Sequence, residues 1–255
     1  MSALVTGASN GIGEQLVQQL AGREVNLVLV ARREDKLEAL REDVLRSHPH
    51  LTVTVLAEDL SEHGAGSRIA ERVDAAGITI DLLVNNAGVG SHGPFIEEDT
   101  VAMARQIQLN VGSLVELTAK FLPGMVARDS GAVINVASTA AFQLVPTMAV
   151  YGATKAFVLS FTEALWADSR GSAVRVVTLC PGATETAFFE NTGKNFLTGS
   201  RQSPAEVAAL ALHALQGTSP TVVSGLSNRL GATGYRFLPR SLMARLSANQ
   251  AKEAA

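Results

Sequence analysis

The chain has 255 residues, 47% hydrophobic and 18% charged, with 21 basic against 24 acidic side chains for a formal net charge of −3. This length allows one large α/β domain or two small ones, and the near-neutral balance excludes a function built on a global basic field, such as non-specific nucleic-acid binding. A single cysteine, Cys180, forms no internal disulfide; no apolar run approaches the roughly 20 residues of a bilayer span, and Ser2-Ala3-Leu4-Val5 carries no basic leader, so a cytoplasmic protein is expected.

Short apolar runs alternate with longer stretches of helical period, and no repeat or Pro/Ser-rich linker interrupts them, so residues 1–255 read as one domain. Runs 3–5, 25–31, 52–57, 80–84, 132–137 and 174–180 are rich in Val, Ile and Leu without alternation, as parallel strands buried on both faces are. Between them, 12–21, 34–47, 62–76, 101–126 and 148–168 read as helices. In the first of these, Ile12, Leu16, Val17 and Leu20 share a face. Ser203-Pro204-Ala205-Glu206 combines an N-cap serine, a proline at the first position and a glutamate at the third, and Gly217 is expected to end that helix. Residues 221–223 complete a doubly wound parallel sheet with right-handed crossovers, an α/β fold of Rossmann type with helices on both faces.

Thr6-Gly7-Ala8-Ser9-Asn10-Gly11-Ile12-Gly13 falls where strand one gives way to helix one. Glycines there allow positive φ and close backbone approach, and the free N–H groups of a helix N-terminus attract anionic oxygens, so the turn suits a phosphate group. Its Gly-x3-Gly-x-Gly spacing differs from the Gly-x-Gly-x2-Gly dinucleotide fingerprint. A site for NAD usually has a carboxylate at the end of strand two, whereas this chain has Arg32-Arg33 before Glu34. A guanidinium pairs with a 2′-phosphate that a carboxylate repels, which favours NADP(H) over NAD(H), with Arg32 as the main contact. The alternative is a solvated basic start to helix two.

Tyr151 is one of only two tyrosines in the chain. It stands four positions before Lys155, so both project from one helix face. A nearby ammonium, together with the positive nicotinamide ring of an oxidised cofactor, is expected to lower the phenol's pKa, and such a phenol can protonate a carbonyl oxygen or remove a hydroxyl proton. Ser138 ends the run Val133-Ile134-Asn135-Val136-Ala137, where ligands gather outside the carboxyl ends of strands. Asn110 interrupts the apolar run 107–115; its amide either satisfies backbone groups or holds a water in a proton path to Lys155.

Taken together these residues resemble the short-chain dehydrogenase/reductase family, in its compact branch. The ordered set is Thr6-Gly7-x3-Gly11-Ile12-Gly13, Asp59-Leu60, Asn85-Asn86-Ala87-Gly88, Asn110, Ser138, Tyr151-x3-Lys155 and Pro181-Gly182. The resemblance implies an oxidoreductase that moves a hydride between a nicotinamide cofactor and a carbonyl or secondary alcohol. It implies that Asp59 meets the adenine amine, with Leu60 beside it, and that Asn86, Ala87 and Gly88 line the adenosine ribose. Lys155 binds the nicotinamide ribose, Ser138 orients the carbonyl, Tyr151 exchanges the proton and Asn110 holds a relay water. Pro181, Gly182, Thr184 and Thr186 border the nicotinamide. Asn10 departs from the pattern, standing where many NADP-specific members carry a basic residue. The Val-Asp-Gly-Gly ending of oxoacyl-carrier-protein reductases is missing, and Ser227-Asn228-Arg229-Leu230 stands in its place, similar to ketone or oxoacyl reductases of unassigned substrate.

The five histidines show no metal-ligand spacing, and no metal is expected. The loop 140–147 and the segment 187–198, with Phe142, Phe188, Phe189, Phe196 and Leu197, suit a small apolar carbonyl substrate. Residues 226–250 read as a lid or an oligomer contact, with a peripheral membrane contact through Arg229, Arg236, Arg240 and Arg245 as the alternative. The apolar helices suggest a homodimer or homotetramer. A cofactor-binding sensor without turnover is the competing function.

Overall fold

The computed structural model describes residues 1–186, 188, 201–234, 239, 243 and 247. Among them seven strands form one parallel sheet: β1 (Ser2–Thr6), β2 (Asn26–Ala31), β3 (Val53–Ala57), β4 (Leu82–Asn85), β5 (Ala132–Val136), β6 (Arg175–Cys180) and β7 (Thr221–Val223), in the order β3-β2-β1-β4-β5-β6-β7. The order reverses between β1 and β4, which pair through Ala3–Leu82, Leu4–Leu83 and Val5–Val84. A crevice opens beyond the carboxyl ends of strands at such a reversal.

Alternate strand residues face opposite helical layers. Ala3, Val5, Leu27 and Leu29 pack with Leu16 and Leu20 of α1 (Gly11–Ala21), Leu37 of α2 (Glu34–Ser47) and Val207 of α7 (Pro204–Ala214). Leu4, Val28, Leu83 and Val133 face Ile69 of α3 (Ala65–Ala75) and Leu117 of α5 (Ser113–Ala127). Burial on both sides is why these strands are continuously apolar. α7 begins with the expected capping box of Ser203 and Glu206. It ends at Ala214, short of Gly217, whose N–H folds back on the Ala214 carbonyl.

The expected helix 101–126 is three pieces: α4 (Thr100–Ile107), a π-helical turn (Gln108–Gly112) and α5. Widening at Asn110 brings its amide onto the backbone of Val89, and such π-bulges gather at functional sites. The next helix, α6 (Ala149–Asp168), carries Tyr151 and Lys155 as expected. Strand β7 leads into α8 (Leu226–Gly234). Phe189, Phe196 and Leu197 of the expected substrate border lie outside the described residues, as do Arg236, Arg240 and Arg245. Among the described residues no helix is long and apolar enough to cross a membrane, and no group of three His, Cys, Asp or Glu side chains is placed to hold a metal ion.

Candidate active site

The turn after β1 is built for close approach. Gly7 and Gly11 adopt φ of 65° and 56°, which side chains seldom tolerate. A Cβ at Gly13 would lie 2.2 Å from the Gly7 carbonyl oxygen, so Gly13 lets α1 sit directly on the turn. Asn86 secures the same turn from β4: its Nδ2 donates to the Thr6 carbonyl at 2.9 Å, and Thr6 Oγ1 accepts from the N–H groups of Asn86 and Ala87, each at 2.9 Å. The Asn86-Ala87-Gly88 segment is thus a brace for the glycine turn as well as a wall of the cleft.

That cleft, about 790 Å³ in volume, runs along the carboxyl ends of the strands. One end holds Arg32 and Arg33, both exposed after β2, together with Asp59 and Leu60 after β3. Burial raises the Asp59 carboxyl, but hydrogen bonds from the Ser61 N–H and hydroxyl and the charges of Arg32 and Arg105 outweigh it, so the net shift is downward. The middle is lined by Gly7, Ser9, Asn10, Ile12, Asn86 and Ala87. At the other end stand Ser138, Tyr151 and Lys155, with Gly88, Pro181, Gly182, Thr184 and Thr186. Gly11 and Gly13 do not line the cleft: Gly11 packs on the Thr186 methyl and Gly13 on Gly7.

Tyr151 and Lys155 are buried on one face of α6. Lys155 Nζ donates to the Val136 carbonyl at 2.8 Å and lies 5.8 Å from the centre of the Tyr151 ring. A Cβ at Gly88 would lie 3.2 Å from Nζ, so glycine there leaves the ammonium its room. Burial pushes the Tyr151 phenol up to about 12, with a hydrogen bond to the Ser138 side chain pulling it back. Burial also lowers Lys155 to about 8. Burial is thus the largest influence on the phenol in the cofactor-free chain, ahead of the Ser138 hydrogen bond. Ser138 Oγ also accepts from the Ala140 N–H at 3.1 Å.

Asn110 lies behind the cleft wall, not on its lining. Its Oδ1 accepts from the Val89 N–H at 2.9 Å, and Nδ2 donates to the Val89 carbonyl at 2.8 Å and to Thr154 Oγ1 at 3.0 Å. Of the two alternatives read from sequence, backbone satisfaction is the contact observed. Sequence reading passed over Gly90, Gln202 and Asn228, which also line the cleft. Gly90 carries a sequence signal, since it continues Gly88-Val89 past the strand end. Cys180 is fully buried and its thiol is pushed up to about 12 by burial, in keeping with a small packed side chain.

Residues 1–196 match the sequence model of the short chain dehydrogenase family. The chain belongs to that family. A short-chain dehydrogenase from Sphingobium yanoikuyae in complex with NADPH superposes with a TM-score of 0.84 at 30% identity, over 95% of each chain. An uncharacterized oxidoreductase of Staphylococcus saprophyticus is 30% identical over 89% of this chain and 96% of its own length. The very-long-chain 3-oxoacyl-CoA reductase of Bos taurus is 32% identical over 70% of this chain, a match that spans 58% of that enzyme. The seven-stranded parallel sheet is the Rossmann-like fold of the short-chain dehydrogenases, a family of oxidoreductases.

Proposed function

We propose that this chain is an NADP(H)-dependent carbonyl reductase, reversible as a secondary-alcohol dehydrogenase, acting on an apolar ketone, aldehyde or oxoacyl compound. The observation that carries the reading is one continuous cleft with Ser138, Tyr151 and Lys155 at one end and Arg32, Arg33 and Asp59 at the other. The fit of a dinucleotide rests on the positive-φ glycine turn and on Gly88, where any side chain would crowd Lys155. Arg32 and Arg33 would hold a 2′-phosphate, Asp59 the adenine, the 7–13 turn the pyrophosphate and Lys155 the nicotinamide ribose. The bound nicotinamide supplies or accepts the hydride.

Tyr151 gives its proton to the carbonyl oxygen in reduction and takes the hydroxyl proton in oxidation. A phenol at about 12 is protonated at neutral pH, the form that reduction requires. Ser138 orients the substrate oxygen beside it. Asn110 fixes Val89 and the Gly88 wall, and so acts as a positioning residue. Val145, Met148 and Phe188 pack around Tyr151, and the Phe188 ring lies 5.2 Å from the Tyr151 ring, an apolar surround that favours a hydrophobic substrate. The NADPH complex of the Sphingobium protein and the oxoacyl substrate named for the bovine relative agree with this reading. Residues 1–255 form one cytoplasmic domain in this proposal, with 226–250 a lid or oligomer contact. Exposed Val101, Ile107 and Phe157 suit a homodimer or homotetramer.

The test is NADPH and NADH consumption across a panel of ketones, aldehydes and oxoacyl thioesters. Turnover with NADPH on apolar carbonyls is expected. Preference for polyhydroxylated ketones, or tight NADPH binding with no turnover on any compound, would overturn it.

A further inference from the structure

At the carboxyl end of the sheet, a small polar cluster fastens three segments far apart in sequence. Ser224, fully buried just past β7, accepts a hydrogen bond from the Gly182 N–H at 3.0 Å and donates to Gln202 Oε1. Asn228 Nδ2, one turn later in α8, donates to the Ser224 carbonyl at 2.7 Å. The Gln202 backbone is paired with the same turn, donating to the Ala183 carbonyl and accepting from the Glu185 N–H, each at 3.0 Å. Residues 182–185 are thereby held from both sides.

The tightest approach is that of Asn228 to Gly182. A Cβ at residue 182 would fall 2.1 Å from Asn228 Nδ2 and 2.9 Å from its Cγ, and the next nearest atom, at 3.2 Å, is Asn228 Oδ1. The Gly182 backbone lies outside the left-handed region, so its conformation does not call for glycine. What a side chain there would displace is the Asn228 amide, which its bond to the Ser224 carbonyl holds in place. Gly225 (φ +82°) lies under the same amide, with a Cβ there 3.1 Å from Nδ2. Asn228 thus bridges the turn after β6 and the turn after β7, at the end of the cleft that holds Tyr151.

We propose that Asn228 is a positioning residue for the Pro181–Gly182 turn, and that within the protein it is the Asn228 amide that requires glycine at residue 182. The catalytic consequence rests on the function proposed above: the turn is one wall of the nicotinamide end, so its placement governs hydride alignment. The steric relationship stands independently of that function.

A double-mutant cycle in the full chain separates the two. Gly182→Ala alone is expected to lower the thermal midpoint of the cofactor-free protein by about 4–8 °C, as overpacking does. Its kcat should fall roughly 100-fold, the scale of a 1 Å misplacement. Asn228→Ala should lower kcat about tenfold while the NADPH Kd, set largely at the Arg32 end, shifts by less than about threefold. Combining the two removes the clash, so the double variant should match Asn228→Ala in both midpoint and kcat. Additive losses in the double variant, or an unchanged kcat in Asn228→Ala, would overturn the proposal. If Gly182→Ala does not fold, a folded double variant supports the proposal and an unfolded one overturns it. If the chain turns over no carbonyl at all, the function has failed and the midpoints still decide whether Asn228 sets residue 182.

Discussion

Lys155 Nζ donates a 2.8 Å hydrogen bond to the carbonyl of Val136, two residues before Ser138. This bond ties α6, which carries Tyr151, to the end of β5, just ahead of Ser138, so that both hydroxyls face one cleft. The ammonium is buried, and burial lowers it from 10.5 to about 8. Below pH 8 both folded and unfolded chains are protonated there, and the folded one bears the desolvation cost. Between about 8 and 10.5 the unfolded chain binds more protons at this site, so stability gained from it rises with pH. Lys155→Met lacks this gain. The stability of Lys155→Met relative to wild type, followed by urea denaturation, should therefore decline as pH is raised from 7 through 8 to 9.5. A difference independent of pH would show that Lys155 is not depressed.

Tyr151→Phe removes only the proton-exchanging oxygen and keeps the ring against Phe188, Val145 and Met148. Loss of a general acid costs roughly 100- to 10,000-fold. Carbonyl reduction should fall by that much while NADPH binding, followed by cofactor fluorescence, stays close to wild type. A variant with the wild-type rate would remove Tyr151 from the chemistry.

Arg32→Asp puts a carboxylate where the cleft now presents a guanidinium, close enough to Asp59 to lower that acid. A hydrogen bond to a charged group contributes about 1.5–3 kcal/mol, which corresponds to roughly 10- to 150-fold in affinity. NADPH affinity should weaken by at least that factor, because repulsion adds to the lost contact, and NADH affinity should change little. Isothermal titration of both cofactors provides the check, and equal losses for the two would take Arg32 out of the phosphate site.

The strands were legible because a parallel sheet covered on both faces must be written in uninterrupted Val, Ile and Leu, as in Leu27–Val30. The site motif was legible because Gly7, Ser138, Tyr151 and Lys155 occur in a fixed order. The π-helical turn was not, since apolar spacing runs unbroken through Gln108–Gly112 and only the tertiary bond from Asn110 to Val89 opens it. The upward shift of Tyr151 in the cofactor-free chain was not legible, because sequence displays the charge of Lys155 but not the burial of both residues. Asn228 could not be matched with Gly182, since their contact exists only once β6 and β7 are paired.

Asn135 is the clearest case of a polar residue hidden in an apolar strand, and it carries a stability prediction. It is fully buried and paired in register with Asn85 on the neighbouring strand. Its Oδ1 accepts from Asn85 Nδ2 at 2.9 Å, and its Nδ2 donates to Thr162 Oγ1 at 2.9 Å on α6. Asn85 Nδ2 also donates to Thr118 Oγ1 on α5 at 3.0 Å, so the two amides link the central strands to both helices packed on them. Asn135→Leu fits the strand by size and leaves Asn85 and Thr162 each short of one partner. A buried group left unpaired costs about 1–3 kcal/mol, so for the two a total loss of about 2–6 kcal/mol is expected in urea denaturation. Adding Asn85→Leu removes one of the orphaned groups, and the double variant should lose less than the sum of the singles. Strict additivity would mean that the Asn85–Asn135 bond contributes nothing to the folded state.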